Sequence, residues 1–226
     1  MGGGGLYIYT QPAIIKSSID MEEVQTPKNK QKKFNSNHFL CIRINDERVK
    51  KNVIEVQEKI LQKDERFKDS VTPPERFHMT LAVMQINDDE TKTQIIKILE
   101  ELCPKLRELL MNHESKSVLI KNLGTFRDNK ILYCKTEKSK VFDDFINILR
   151  DHLNGIKGIM FNDNYHMTII KPPYKSECFS LSSDLYKEFE DKEFGSIPLN
   201  NLNLSRMGEE EKEDDGFYHT IKKIVF

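Results

Sequence analysis

The sequence predicts an α+β fold of two lobes, each a mainly antiparallel sheet with helices on its outside, flanking a central cleft. Three observations carry this. Apolar periodicity gives the order β-α-β-α-β-β-α-β-α-β-β, in which the late strands follow one another as hairpins. No glycine-rich phosphate loop follows any strand, as a doubly wound nucleotide-binding sheet would require. One strand motif occurs twice, once in each half, as Phe77-His78-Met79-Thr80-Leu81 and Tyr165-His166-Met167-Thr168-Ile169.

Taken in order, residues 1–36 read as a flexible tail with a glycine leader, Gly2–Gly5, and a basic run, Lys28–Lys33. That run is either a solvated leader or a nuclear import signal. The domain then occupies 37–226. His38–Ile44 reads as a strand, and Asp46–Asp64 carries Val49, Val53, Val56 and Ile60 at helical spacing. Val71-Thr72-Pro73-Pro74 breaks the chain before the first motif strand. Asn87-Asp88-Asp89 caps a second helix, whose stripe of Ile95, Leu99, Leu102, Leu106 and Leu109 is interrupted by Pro104. Val118–Ile120 and Ile131–Cys134 form a strand pair, with Gly124 and Asp128-Asn129 as the turn between them. Val141–Leu153 is a third amphipathic helix, burying Phe142, Phe145, Ile148 and Leu149 and ended by Gly155 and Gly158. After the second motif strand, Pro172-Pro173 is a stop. A short helix near Asp184–Phe189 and strands near Leu199–Arg206 and Phe217–Val225 complete the chain, with Glu209–Asp215 between those strands as a solvated loop.

Composition excludes several classes. A formal net charge of −1 offers no global field for nucleic acid, so any nucleotide must be held locally. No window is apolar enough to span a membrane, and the start lacks a secretory pattern. Cys41, Cys103, Cys134 and Cys178 contain no C-x-x-C pair and read as reduced thiols, which predicts an intracellular protein, cytoplasmic or nuclear. Neither a metal nor another cofactor is predicted, and the protein is expected to be a monomer.

A single His-x-Thr is more often a partly buried structural histidine than a catalyst. His113-Glu114-Ser115 has that spacing but lies among polar residues without a strand pattern, and reads as a solvated loop. Two near-identical copies, each on a strand, reverse the weighting. Because strand residues i and i+2 share a face, His78 and Thr80 look one way while Phe77, Met79, Leu81 and Val83 look the other. His166 and Thr168 likewise stand opposite Tyr165, Met167 and Ile169. Each strand thus presents an imidazole beside a hydroxyl. A histidine exists in both protonation states near neutrality, so two of them provide an acid and a base for one phosphate, and the hydroxyls provide donors to its oxygens.

These paired strands resemble the 2H phosphoesterase superfamily. Within it the chain is similar to the phosphoesterase-like central domain of A-kinase anchor protein 7, through Asn37–Ile44, Gln62–Arg66, Phe77–Gln85, Gly124–Phe126, Tyr165–Thr168 and Gly216–His219. The resemblance implies a bilobal 2H-phosphoesterase-like fold with a nucleotide-sized groove. It also implies metal-independent cleavage of 2′,5′-linked oligoadenylates or 2′,3′-cyclic nucleotide and RNA ends. His78 and His166 would be the acid/base pair, Thr80 and Thr168 the phosphate donors, and a nucleotide or short oligoribonucleotide the partner. The alternative is a non-catalytic module that binds an AMP-like nucleoside monophosphate, or a complex subunit. The strand-like Ile221–Phe226 has no amphipathic helix after it to dock a kinase regulatory subunit, which counts against kinase anchoring. Lys171 and Arg206 read as solvated charges outside the site.

Overall fold

The computed structural model describes residues 34–173, 180–208 and 211–226; the expected leader, with Lys28–Lys33, and Cys178 lie outside them. Strand β1 (His38–Arg43) leads through the Asp46 cap, whose carboxylate accepts from the Val49 amide, into helix α1 (Glu47–Lys63). Two 3-10 turns, Glu65–Ser70 and Pro74–Arg76, precede β2 (His78–Met84), the first motif strand. Helix α2 (Asp89–Met111) begins at the Asp88 cap and runs unbroken through Pro104, where an interruption was expected. Pro104 lies on the exposed side, so the carbonyl it leaves unpaired one turn earlier, on exposed Glu100, faces water.

Strands β3 (Ser117–Phe126) and β4 (Ile131–Thr136) form the expected pair, but Gly124 lies within β3 and the turn falls at residues 127–130. There Arg127, Asp128 and Asn129 all adopt positive φ, at 52°, 56° and 62°. Helix α3 (Lys140–Leu153), a short strand β5 (Ile159–Phe161) and the second motif strand β6 (His166–Ile170) follow. The helix expected near Asp184–Phe189 is a pair of 3-10 turns, Ser183–Leu185 and Lys187–Phe189. The last strands are β7 (Glu193–Pro198), β8 (Asn201–Arg206) and β9 (Thr220–Val225).

The two expected sheets are joined. The strands follow the order β7-β3-β4-β6-β2-β1-β8-β9 in one antiparallel sheet, with β5 paired to β2. The join is narrow: β2 and β6 meet through the single register pair Met79↔Met167. The lobes are therefore β7-β3-β4-β6 and β2-β1-β8-β9, and the seam between them runs between the two motif strands. Both side chains of that pair are fully buried.

Each motif strand carries an extra residue at the same place. Leu40↔Ala82 and Cys41↔Thr80 leave Leu81 unopposed, and Leu132↔Ile170 and Tyr133↔Thr168 leave Ile169 unopposed. Such a bulge reverses the alternation downstream. This is why Ala82 and Met84 are buried in β2, while Val83, expected in the core, is only half-buried.

Beyond the seam, the open edge of β6 is covered by the segment before β2. Thr72 N donates to Ile169 O (3.0 Å) and Lys171 N to Ser70 O (2.7 Å). Gln57, buried on α1, donates through Nε2 to both Thr72 O (2.9 Å) and Ile169 O (2.8 Å). The stripes of α1, α2 and α3 share one apolar core with the inward strand residues.

Candidate functional site

His78, Thr80, His166 and Thr168 are the residues that flank the seam pair in sequence, so β2 and β6 bring together all four residues singled out from the sequence. Each is half-buried, and of their strand neighbours Phe77, Met79, Leu81, Met167 and Ile169 are fully buried while Tyr165 is partly so. Neither threonine hydroxyl is engaged by another residue among those described.

The two imidazoles are held in the same way. His78 Nδ1 lies 2.7 Å from Arg76 O, and His166 Nδ1 lies 2.8 Å from Asn164 O. A carbonyl can only accept, so Nδ1 carries the proton in both rings and Nε2 is left as the working nitrogen. A neutral ring held this way accepts a proton at Nε2, and a charged one donates it.

Aromatic rings surround both. Phe39 (5.1 Å between centroids), Tyr218 (5.4 Å) and Phe217 (6.1 Å) stand around His78. Phe126 (4.8 Å) and Tyr133 (4.9 Å) stand around His166 and stack on each other at 4.1 Å. Gly124 makes the second arrangement possible, because a Cβ there would lie 2.6 Å from the Tyr133 ring and hydroxyl. Alternation on β2 and β6 singles out the histidines, but these rings arrive from β1, β3, β4 and the segment before β9, with no short sequence spacing to link them.

Cross-strand partners repeat as well. Arg43 is registered opposite His78 and Lys135 opposite His166, so each imidazole has a basic neighbour on the adjacent strand. Burial holds the His78 pKa down to about 4, with the charges of Lys171 and His166 acting in the same direction against the Arg76 hydrogen bond. Burial also lowers the pKa of His166, opposed by the Asn164 bond. Lys171, read from the sequence as a solvated charge outside the site, is exposed yet stands within electrostatic reach of it. Its ammonium reaches solvent yet is crowded by surrounding protein, and this crowding together with Arg127 lowers its own pKa. Arg206 is half-exposed beside Glu211 at 3.5 Å, at the far end of β8, as expected of a solvated charge. Cys41 and Cys134 are buried free thiols, and burial raises both pKa values.

The acidic loop is more than solvated chain. Asp215 pairs with Arg43 at 2.7 Å, and Glu213 accepts from the Thr220 amide at 2.6 Å. His113, read as solvated, is half-buried beside Asp144 at 3.3 Å, away from either motif strand. Among the described residues no group of three or more His, Cys, Asp or Glu is placed to hold a metal ion, and no helix is long and apolar enough to cross a membrane.

A family profile described as the AKAP7 2'5' RNA ligase-like domain matches residues 36–226. The human protein A-kinase anchor protein 7 isoform gamma is 29% identical over 219 residues. That alignment covers 92% of this chain and 62% of the relative, so the chain spans less than two thirds of the relative's length. Among solved structures, TT0787 of Thermus thermophilus aligns with a TM-score of 0.52 at 16% identity, covering 84% of this chain and 97% of that one. The MHV ns2 PDE domain aligns at 0.52 and 12% identity, covering 77% and 100%. E. coli LigT complexed with NADP+ aligns at 0.50 and 12%, covering 84% and 96%. At these identities the likeness is one of fold.

Proposed function

Since the chain belongs to the AKAP7 2'5' RNA ligase-like domain family, we propose that it is a phosphodiesterase that cleaves 2′,5′-linked oligoadenylates or 2′,3′-cyclic nucleotide and RNA ends without a metal. The observation that carries this is the matched pinning of His78 and His166 through Nδ1, which leaves one proton-accepting and proton-donating Nε2 from each lobe at the seam.

His78, with its pKa near 4, is neutral at pH 7 and takes a proton from the attacking hydroxyl or water. His166 is less strongly shifted and supplies a proton to the leaving oxygen. The Thr80 and Thr168 hydroxyls, free of protein partners among the described residues, donate to the non-bridging phosphoryl oxygens as charge develops there. Lys171 adds a cation on the same side. The half-buried rings, Tyr218 beside His78 and Phe126 beside His166, offer one face per lobe, which suits the two nucleosides flanking one phosphodiester.

The test is a product-resolved digest of 2′,5′-diadenylate, 3′,5′-diadenylate and 2′,3′-cyclic AMP in excess EDTA. Turnover of the first or third by the native chain, lost in His78→Ala and His166→Ala, is the expected result. Nucleotide binding with no turnover of any of the three would make this a binding module. Activity abolished by EDTA and restored by Mn²⁺ would overturn the mechanism.

A further inference from the structure

Phe217 is fully buried although it belongs to the irregular stretch between β8 and β9 rather than to the sheet. What holds it is a clamp at the end of β1. The Arg43 guanidinium lies 4.3 Å over the Phe217 ring, and its Nη2 donates to Asp215 Oδ2 at 2.7 Å. Asp215 uses its other oxygen, Oδ1, to accept from the Phe217 amide at 3.2 Å. One carboxylate thus ties the turn to the arginine at two points.

Arg43 is itself anchored. Its amide donates to Asn201 Oδ1 (3.0 Å), and its carbonyl accepts from Asn201 Nδ2 (3.2 Å). Its side chain is 15% exposed, whereas that of Asp215 is 57% exposed. Among the described residues the opposite lobe shows no such device: Lys135, the equivalent partner of His166, is exposed. The turn also needs Gly216, which has φ +86° and where a Cβ would meet Glu75 Cγ at 2.8 Å.

We propose that Arg43 is a positioning residue of the site: by pairing with Asp215 and stacking on Phe217, it clamps the Phe217-Tyr218 wall against the His78 imidazole and keeps water from that ring. Phe217 and Tyr218 are two of the three rings around His78, and Arg76 faces Tyr218 from the other side at 5.4 Å. The clamp therefore makes the two imidazoles unequal, with three rings of its own lobe around His78 and two around His166. This rests on the acid/base reading for its catalytic meaning, but not for its test.

The test is an NMR titration of the His78 and His166 rings in the unliganded chain, native and with Asp215→Asn, Arg43→Met or Arg43→Lys. The charged and titratable groups around His78 are Arg43 and Cys41 on β1, Glu75 and Arg76 before β2, His166 and Lys171 across the seam, and Asp215, Tyr218 and His219 in the wall. Among these, Asp215→Asn gives opposite signs for the two explanations. Loss of a carboxylate lowers an imidazole midpoint through charge alone, whereas release of the wall admits water and raises it. We expect the His78 midpoint to rise by a unit or more toward 6.5 in Asp215→Asn and Arg43→Met, with His166 unmoved. Arg43→Lys, which keeps the ion pair, is expected to fall between these variants and the native chain. A His78 midpoint that stays or falls in Asp215→Asn overturns the clamp, as does an equal shift of both histidines. Since no substrate is involved, a failed clamp is distinguishable from a failed phosphodiesterase reading. In turnover, the acid limb of kcat/KM is expected to move with the His78 midpoint.

Discussion

Truncating His78 or His166 removes a proton carrier from a half-buried position while its strand neighbours Met79 and Met167 keep the seam closed. Each alanine variant is expected to lose ~10²–10⁴ in kcat, the range for one general acid or base. Both act in one displacement, so the double variant should lose far less than the product of the single losses. Steady-state rates with a 2′,5′-diadenylate check this, and a fully active single variant removes that residue from the mechanism. Thr80→Ala and Thr168→Ala should lose less, on the order of ten- to a hundredfold, because each removes one donor and rotating hydroxyls are less preorganised than backbone amides. Gly124→Ala probes the His166 side. Its methyl must displace the Tyr133 ring, which lies 2.6 Å from where the Cβ would be, at a cost of ~1–3 kcal/mol for overpacking. The expected signature is a raised KM with the Phe126-Tyr133 stack broken, and an unchanged Tyr133 position in a crystal structure of the variant would contradict it.

At the scale of elements, an apolar run made β1 legible, alternation across each motif made β2 and β6 legible, and apolar stripes did so for the three long helices. The bulges at Leu81 and Ile169 were not legible, since a two-residue period says nothing of where a strand takes an extra residue. β7 was missed for a related reason. Glu193-Phe194-Gly195-Ser196-Ile197-Pro198 is short of β-formers, and its place depends on α1 beneath it, where Asn52 donates to Phe194 O at 2.8 Å. The site divides along the same line. Four residues on two strands were readable from their repetition, whereas the aromatic walls, Arg43 and Lys171 depended on which strands lie side by side. Gln57 is the element-scale test. It supplies donors to two carbonyls, and its loss leaves Thr72 O without that donor at ~1–3 kcal/mol, while Ile169 O keeps the Thr72 amide. Gln57→Ala should therefore lower stability by roughly 1–3 kcal/mol in urea unfolding. It should also lower kcat more than affinity, because Ile169 follows Thr168 directly.

For the whole molecule, the depressed imidazole midpoints link activity and stability to pH. On the proposed roles, with His78 neutral and His166 protonated, kcat/KM should trace a bell whose maximum lies on the acidic side of neutrality, above about 4 and below the ordinary histidine value of 6.5. Stability follows from the same shifts. An imidazole that resists protonation when folded binds a proton more readily once unfolded, so the unfolded chain holds more protons between pH 6.5 and about 4. Stability is therefore complete above pH 6.5 and lost as pH falls through that window, by up to about 3 kcal/mol for His78 if its burial is fully retained. His38 and His166, also lowered by burial, act in the same direction. Below pH 4 the carboxylates of Asp88, Asp144 and Asp215, held low by the Thr91 amide, Lys140 and Arg43 respectively, lose their contributions in turn. Urea midpoints at pH 4.5 and 7 measure the histidine part, and equal midpoints would refute it.

The order of strands has a consequence in time. β7 supplies the outer strand of one lobe, β8 and β9 the outer strands of the other, and all three come after every other strand of the sheet in sequence. Neither lobe can be finished on the ribosome while the other waits, because both await Glu193–Val225. Helix α1, made early, also has to wait for β7, the strand it packs on. The two lobes are thus committed to being completed together, and calorimetry should show one melting transition rather than two.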